Sequence, residues 1–179
     1  LRCYDIYYWE VTKMVKKKKI NMVTTLFFIY CVLLVWIILF KLQFSLNSLD
    51  KIRNINLIPF YYENNVSFHF REVIENVIIF IPLGIYLKMI GIDNKKTILF
   101  GFAVSLLLEV SQYVLSVGAS DITDVITNTL GALIGVLFYN ISIKLFKTEE
   151  KAKKIFEILA LVVTIMFLLF VGTIIIANF

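Results

Sequence analysis

The chain has 179 residues, of which 60% are hydrophobic and 17% charged, with a net charge of +5 and a mean hydropathy of +0.86. Apolar runs long enough to cross a hydrocarbon core of about 30 Å recur along it, which excludes an ordinary soluble domain. The positive balance suits anionic lipid headgroups and calls for no nucleic acid.

Residues 1–19 are read as an N-terminal leader and a basic cytoplasmic flank, and residues 20–179 as a single transmembrane domain. The stretch before Met14 shows no signal-peptide pattern, and translation is expected to start at that methionine. Lys16 to Lys19 then lead into a first span at about 20–40. It is expected to stay uncleaved, because the apolar run exceeds a usual signal h-region and Phe40 to Gln43 offers no small-residue cleavage site. Cys31 lies inside this run and Cys3 in the leader, so neither a disulfide framework nor a cysteine metal site is expected.

Further spans are expected at about 72–87, 97–117, 120–146 and 156–177. The fold class is therefore all-α, a polytopic helical bundle of about five transmembrane helices. Lysines orient it. Lys88, Lys95 and Lys96 lie between the second and third spans, and Lys144, Lys147, Lys151, Lys153 and Lys154 between the fourth and fifth. The positive-inside rule puts these connections and the N-terminus in the cytoplasm, with the C-terminus outside.

After the first span, Leu46, Leu49, Ile52 and Ile55 recur every three positions, which predicts a short amphipathic helix at the headgroup boundary. Pro59 stops it, and Phe60, Tyr61 and Tyr62 supply an interfacial aromatic belt. His69 is read as a solvated loop residue.

The three following spans each carry polar groups on one stripe. In the second, Arg71, Glu72, Pro82 and Tyr86 fall within about 60° of Glu75 on a helical wheel. In the third, Gly101, Ser105, Glu109, Gln112 and Ser116 share an arc of about 80°, and in the fourth so do Asp121, Asp124, Asn128, Gly131, Gly135 and Ser142. A carboxylate within a bilayer costs about 2.5 to 3.5 kcal/mol even on mild insertion scales, so such acids at matched depths point to function. Gly131 and Gly135 form a GxxxG step, which allows close helix packing and a homo-oligomer through that face. The short SVGAS connection makes spans three and four antiparallel neighbours. Counted from Gly118 at helical rise, Gln112 is level with Asp124 and Glu109 with Thr127 and Asn128, roughly 9 and 14 Å below the turn.

Glu75, Glu109, Asp121 and Asp124 are the candidate catalytic residues, and Arg71, Asn76, Gln112 and Asn128 the candidate substrate-binding ones. Three mechanisms suit them. Arg71 could grip a phosphate while a carboxylate acts as general acid or base on a lipid-linked substrate. The oxygens could hold a divalent cation such as Mg2+ or Ca2+, or the acids could carry protons or cations in transport. The competing structural reading makes the same groups interhelical hydrogen bonds worth about 0.6 kcal/mol per pair.

Four strings, NLIPF at Asn56 to Phe60, ENVIIFIPLG at Glu75 to Gly84, EVSQ at Glu109 to Gln112 and DITDVITNTLGALIG at Asp121 to Gly135, together resemble the VanZ-like family. The likeness covers about Asn56 to Phe138, with one departure: where the family often has an arginine before the first aspartate, Gly118, Ala119 and Ser120 stand here. It implies a multi-pass protein of the bacterial cytoplasmic membrane, associated with resistance to teicoplanin, a glycopeptide that binds cell-wall precursors. It names a phenotype and leaves the reaction open. The expectation is thus a protein of the cell envelope that binds or modifies a membrane lipid or polyprenyl-linked precursor through an acidic pocket in the outer leaflet. A non-enzymatic transporter or cation-coupled permease, or a structural membrane protein, is the alternative.

Overall fold

A computed structural model describes residues 22–40, 52–61 and 66–178. In chain order they form α1 (Met22–Phe40), β1 (Ile52–Asn56), α2 (Val66–Met89), α3 (Asn94–Leu115), β2 (Val117–Asp121), α4 (Ile122–Phe146) and α5 (Glu149–Asn178). The leader and Met14 lie outside the described residues, as does the first part of the amphipathic helix expected after α1. By length and composition α1, α3, α4 and α5 are able to cross a membrane. At 24 residues α2 is long enough. It falls outside that set because Arg71, Glu72 and Glu75 interrupt its N-terminal half. Its C-terminal half is enclosed in the bundle, with Phe80 and Leu83 wholly buried. A helix wrapped by protein does not need a lipid-compatible surface.

The α2–α3 connection is tight for a local reason. Gly91 takes a φ of 94°, its N–H donates to the Lys88 carbonyl at 2.9 Å, and the Ile92 N–H donates to the Leu87 carbonyl at 3.0 Å. This is a Schellman ending, sealed by Ile92 packing on the cluster that contains Leu87. Asp93 then caps α3, its Oδ1 accepting from the Lys96 N–H at 3.0 Å.

Helices α2 and α4 run parallel in very close contact. A Cβ on Gly131 would strike the Val77 carbonyl, one on Gly135 the Ile81 carbonyl, and one on Gly84 the Ala132 carbonyl. The face of Gly131 and Gly135, through which a homo-oligomer was expected, is occupied by α2 of the same chain. Beside this pair α3 runs antiparallel to both, with Gly101 against Ala132 and Ser105 against Asn128. Pro82 deprives one carbonyl of its helical donor, and nearby the Tyr30 hydroxyl of α1 donates to the Ile79 carbonyl at 2.8 Å.

Three further expectations change. Ile52–Asn56 is a strand paired in parallel with Val117–Asp121, so the expected amphipathic helix does not extend through Ile55. The spacing by three was genuine, but backbone pairing across the chain outweighs a local pattern ten residues long. His69 lies in the first turns of α2, its Nδ1 3.6 Å from Glu72, and not in a loop. Finally, the expected depths of α3 and α4 shift by about one turn. Ser116 takes a left-handed φ of 57°, and the next five residues are extended and run back along the end of α3. Extended chain advances about 3.3 Å per residue against 1.5 Å in a helix, so Glu109 meets Ser120 and Asp121, and Ser105 meets Asp124 and Asn128.

Candidate functional site

The polar stripes of α3 and α4 meet at β2. Glu109 is 5% exposed, and its Oε2 accepts the Asp121 backbone N–H at 2.9 Å while its own carbonyl accepts the Ser120 hydroxyl at 2.8 Å. Asp121 is the N-cap of α4: its Oδ1 accepts from the Thr123 N–H at 2.7 Å. Its Oδ2 accepts from Asn56 Nδ2 at 3.0 Å, which ties the last residue of β1 to the start of α4. The same Asn56 amide reaches the Tyr61 carbonyl at 3.2 Å, and the Phe60 N–H donates to the Thr123 hydroxyl at 3.0 Å. The turn after β1 is thereby held on α4. Both Asp121 oxygens are engaged, Oδ1 by the Thr123 N–H and Oδ2 by the Asn56 side chain, whereas Glu109 holds the Asp121 N–H through Oε2 alone.

One turn further along α4, Asp124 is half-buried, with the Asn76 side chain of α2 beside its carboxylate. Asn76 Nδ2 nevertheless forms no hydrogen bond of ordinary geometry. Asn128 donates through Nδ2 to Ser105 Oγ at 2.9 Å, and that hydroxyl lies 3.5 Å from the Asp124 carbonyl. Gln112 donates through Nε2 to the Ile38 carbonyl of α1 at 3.1 Å. The other oxygens of these two amides, Gln112 Oε1 and Asn128 Oδ1, are buried with no hydrogen-bond partner.

Among the described side chains, which do not include that of Arg53, no lysine or arginine forms an ion pair with Glu109, Asp121 or Asp124. Arg71 instead pairs with Glu75 at 2.6 Å on the exposed part of α2, where the two side chains are 76% and 52% exposed. The acid of α2 whose charge acts on both Glu109 and Asp124 is Glu72. No three His, Cys, Asp or Glu side chains among the described residues converge on a metal position. The oxygens are strung along the stripe, where they can hold hydrogen-bond donors or move protons. A pocket of about 200 Å³ opens beside them, with Glu109 and Asp121 at its edge and almost wholly apolar walls that include Leu106, Val110, Tyr113 and Val125.

Of the residues singled out in the sequence, Glu109, Asp121, Asp124, Gln112, Asn128 and Asn76 thus gather in one region, and Arg71 with Glu75 forms a separate surface pair. Sequence reasoning passed over Asn56, Ser120 and Thr123 as members of the network. Asn56 did fall in the NLIPF string, but what ties it to Asp121 is a strand register spanning 65 residues.

The architecture is that of a helical membrane protein whose spans enclose an acid and amide centre braced by a pair of parallel strands. The chain belongs to the VanZ family: the VanZ/LLP1 family profile matches residues 27–147. It is 38% identical over 148 residues to Protein VanZ of Enterococcus faecium, covering 79% of this chain and 88% of that relative. No solved structure matches it.

Proposed function

We propose that this protein binds or modifies a lipid-linked component of the cell envelope at the centre formed by Glu109, Asp124 and the start of α4, and that this activity is linked to glycopeptide (teicoplanin) resistance. The carrying observation is the buried Glu109 carboxylate, grouped with Asp124 and the Gln112 and Asn128 amides inside apolar helices, next to a pocket with apolar walls. A ligand with an apolar tail suits those walls, and its polar head would meet the acid and amide groups behind them. Glu109 and Asp124 are the groups able to pass a proton to or from it; Gln112, Asn128 and Asn76 orient its polar atoms.

The orientation in the membrane is part of the proposal. Lys88, Lys95 and Lys96 lie at the α2–α3 end of the bundle, with Lys144, Lys147, Lys151, Lys153 and Lys154 at the α4–α5 end. This asymmetry supports a cytoplasmic N-terminus and an acid centre in the outer leaflet, where wall precursors and headgroups are displayed.

The test is lipid mass spectrometry of bacterial membranes with and without the protein, alongside teicoplanin susceptibility. A changed headgroup or a selectively retained lipid is expected, and the change should vanish in the Glu109→Gln, Asp124→Asn double variant. Movement of labelled substrate into proteoliposomes with no lipid altered or retained would replace this reading with a transporter.

A further inference from the structure

We propose that the turn after β1, Leu57 to Tyr61, is a surface for lipid: it dips into the leaflet around the β2 end of α3 and sets its apolar side chains among the upper acyl chains. The first argument is depth. The strand register puts Asn56 beside Asp121, whose N–H is held by Glu109, so the last residue of β1 lies level with Glu109. Leu115, where α3 ends, is six residues further on, about 9 Å at helical rise. The turn continues inward from Asn56, since the Phe60 N–H donates to Thr123 in the first turn of α4 and Leu57 shares a pocket with Leu106 and Val125. Val110, Val114 and Leu115 are exposed, so α3 presents an apolar surface up to its end. A turn that lies below the end of a lipid-facing helix lies within the membrane.

The side chains are the second argument. Leu57 is 73% and Ile58 59% exposed, with Phe60 and Tyr61 exposed beside them. Apolar groups gathered at a turn and left open to water mark a contact with a membrane or a protein, and here they continue the lipid-facing side of α3. The backbone is the third argument, and it selects lipid. Acyl chains offer no hydrogen-bond partner, so irregular backbone can approach them only where its donors are met within the protein. Every N–H from Ile58 to Tyr61 meets that condition. That of Ile58 donates to Asn56 Oδ1 at 3.1 Å, that of Phe60 to the Thr123 hydroxyl at 3.0 Å and that of Tyr61 to the Ile58 carbonyl at 3.3 Å, while Pro59 has none. The Tyr61 carbonyl in turn accepts from Asn56 Nδ2 at 3.2 Å. A loop in water needs no such closure, because solvent supplies the partners. The same bonds hold Phe60 at a left-handed φ of 55°, so the turn keeps one shape as it enters the leaflet.

The experiment uses the full chain with Cys3 and Cys31 replaced by serine, in liposomes of phosphatidylcholine and phosphatidylglycerol, with one nitroxide at Ile58→Cys. Its relaxation by oxygen, which concentrates in the bilayer, is compared with that by a water-soluble nickel chelate. Labels at Leu107→Cys and Val114→Cys, exposed on α3 and roughly 10 Å apart along its axis, give a depth scale, and Asn94→Cys marks the aqueous end. The label at Ile58 should favour oxygen and read deeper than that at Val114. A preference for the chelate, or a reading shallower than Val114, would put the turn in water and overturn the proposal. Poor access to both reagents would mean that protein covers the turn, and would overturn it as well. The outcome does not depend on whether any lipid is bound or altered at Glu109, so it stands or falls separately from the proposed function.

Discussion

The Asp121 backbone N–H donates to Glu109 Oε2 at 2.9 Å, so the residue that begins α4 is held by a carboxylate twelve residues earlier in α3. One side chain both closes the β2 connection and supplies the buried acid of the proposed site. These two roles separate by substitution. Glu109→Ala removes the acceptor and leaves a part-buried N–H unpaired, a loss of about 1 to 3 kcal/mol. Glu109→Gln keeps an amide oxygen there and should unfold within a few degrees of the wild type. Thermal unfolding in detergent, read by circular dichroism, checks both.

Function should follow charge and not shape. If Glu109 and Asp124 move protons, the Glu109→Gln, Asp124→Asn double variant should lose activity by about a hundredfold or more, the usual scale for general acid and base catalysis. Its membrane abundance should stay near normal, and Glu157→Gln should behave as wild type. Full activity in the double variant, in the lipid or resistance assay that responds to the wild type, would leave the stripe as packing.

The α2–α4 contact tolerates no side chain at its glycines. Gly135→Ala places a methyl against the Ile81 backbone, and Gly131→Ala one against the Val77 carbonyl. Backbone cannot yield as a flexible side chain does, so each substitution should destabilise by about 1 to 3 kcal/mol. Size-exclusion chromatography with light scattering should show an unchanged oligomeric state, since that face packs within one chain.

Asn56 should matter more than a strand-end asparagine ordinarily does. Asn56→Leu removes the donor to Asp121 Oδ2 and to the Tyr61 carbonyl. A destabilisation of about 0.5 to 1.5 kcal/mol per lost bond is expected, together with faster hydrogen exchange across residues 52–61. Unchanged exchange there would show that β1 is held by its ladder alone.

The proposed orientation is testable with single cysteines after Cys3 and Cys31 are replaced by serine. An impermeant thiol reagent on intact cells should label Ala119→Cys and spare Asn94→Cys. Labelling only at position 94 would put the acid centre on the cytoplasmic side.

The sequence alone determined the class, because a bilayer makes composition decisive. Runs such as Met22–Phe40 and the apolar part of α5 have no soluble alternative, and lysines clustered between spans carry the orientation argument. It also pointed to Glu109, Asp124, Gln112 and Asn128, since polar groups in apolar helices are expensive and the helical period shows that they share a face. The tertiary structure decided which of them meet. Arg71 lies on the stripe of Glu75 and pairs with it on the surface instead of reaching the acids of α3 and α4. Gly131 and Gly135 signalled a close helix contact in the sequence, but only the fold shows that the partner is α2 of the same chain. The parallel pairing of Ile52–Asn56 with Val117–Asp121 was beyond local reading: IRNIN has no alternating pattern, and its stabilising partners lie 65 positions away. That pairing makes the SVGAS connection extended rather than helical, shifts α4 by about a turn against α3, and brings Asp121 instead of Asn128 to Glu109. Helical periodicity assigns a residue to a face, whereas its depth against another helix depends on the conformation of the chain that joins them.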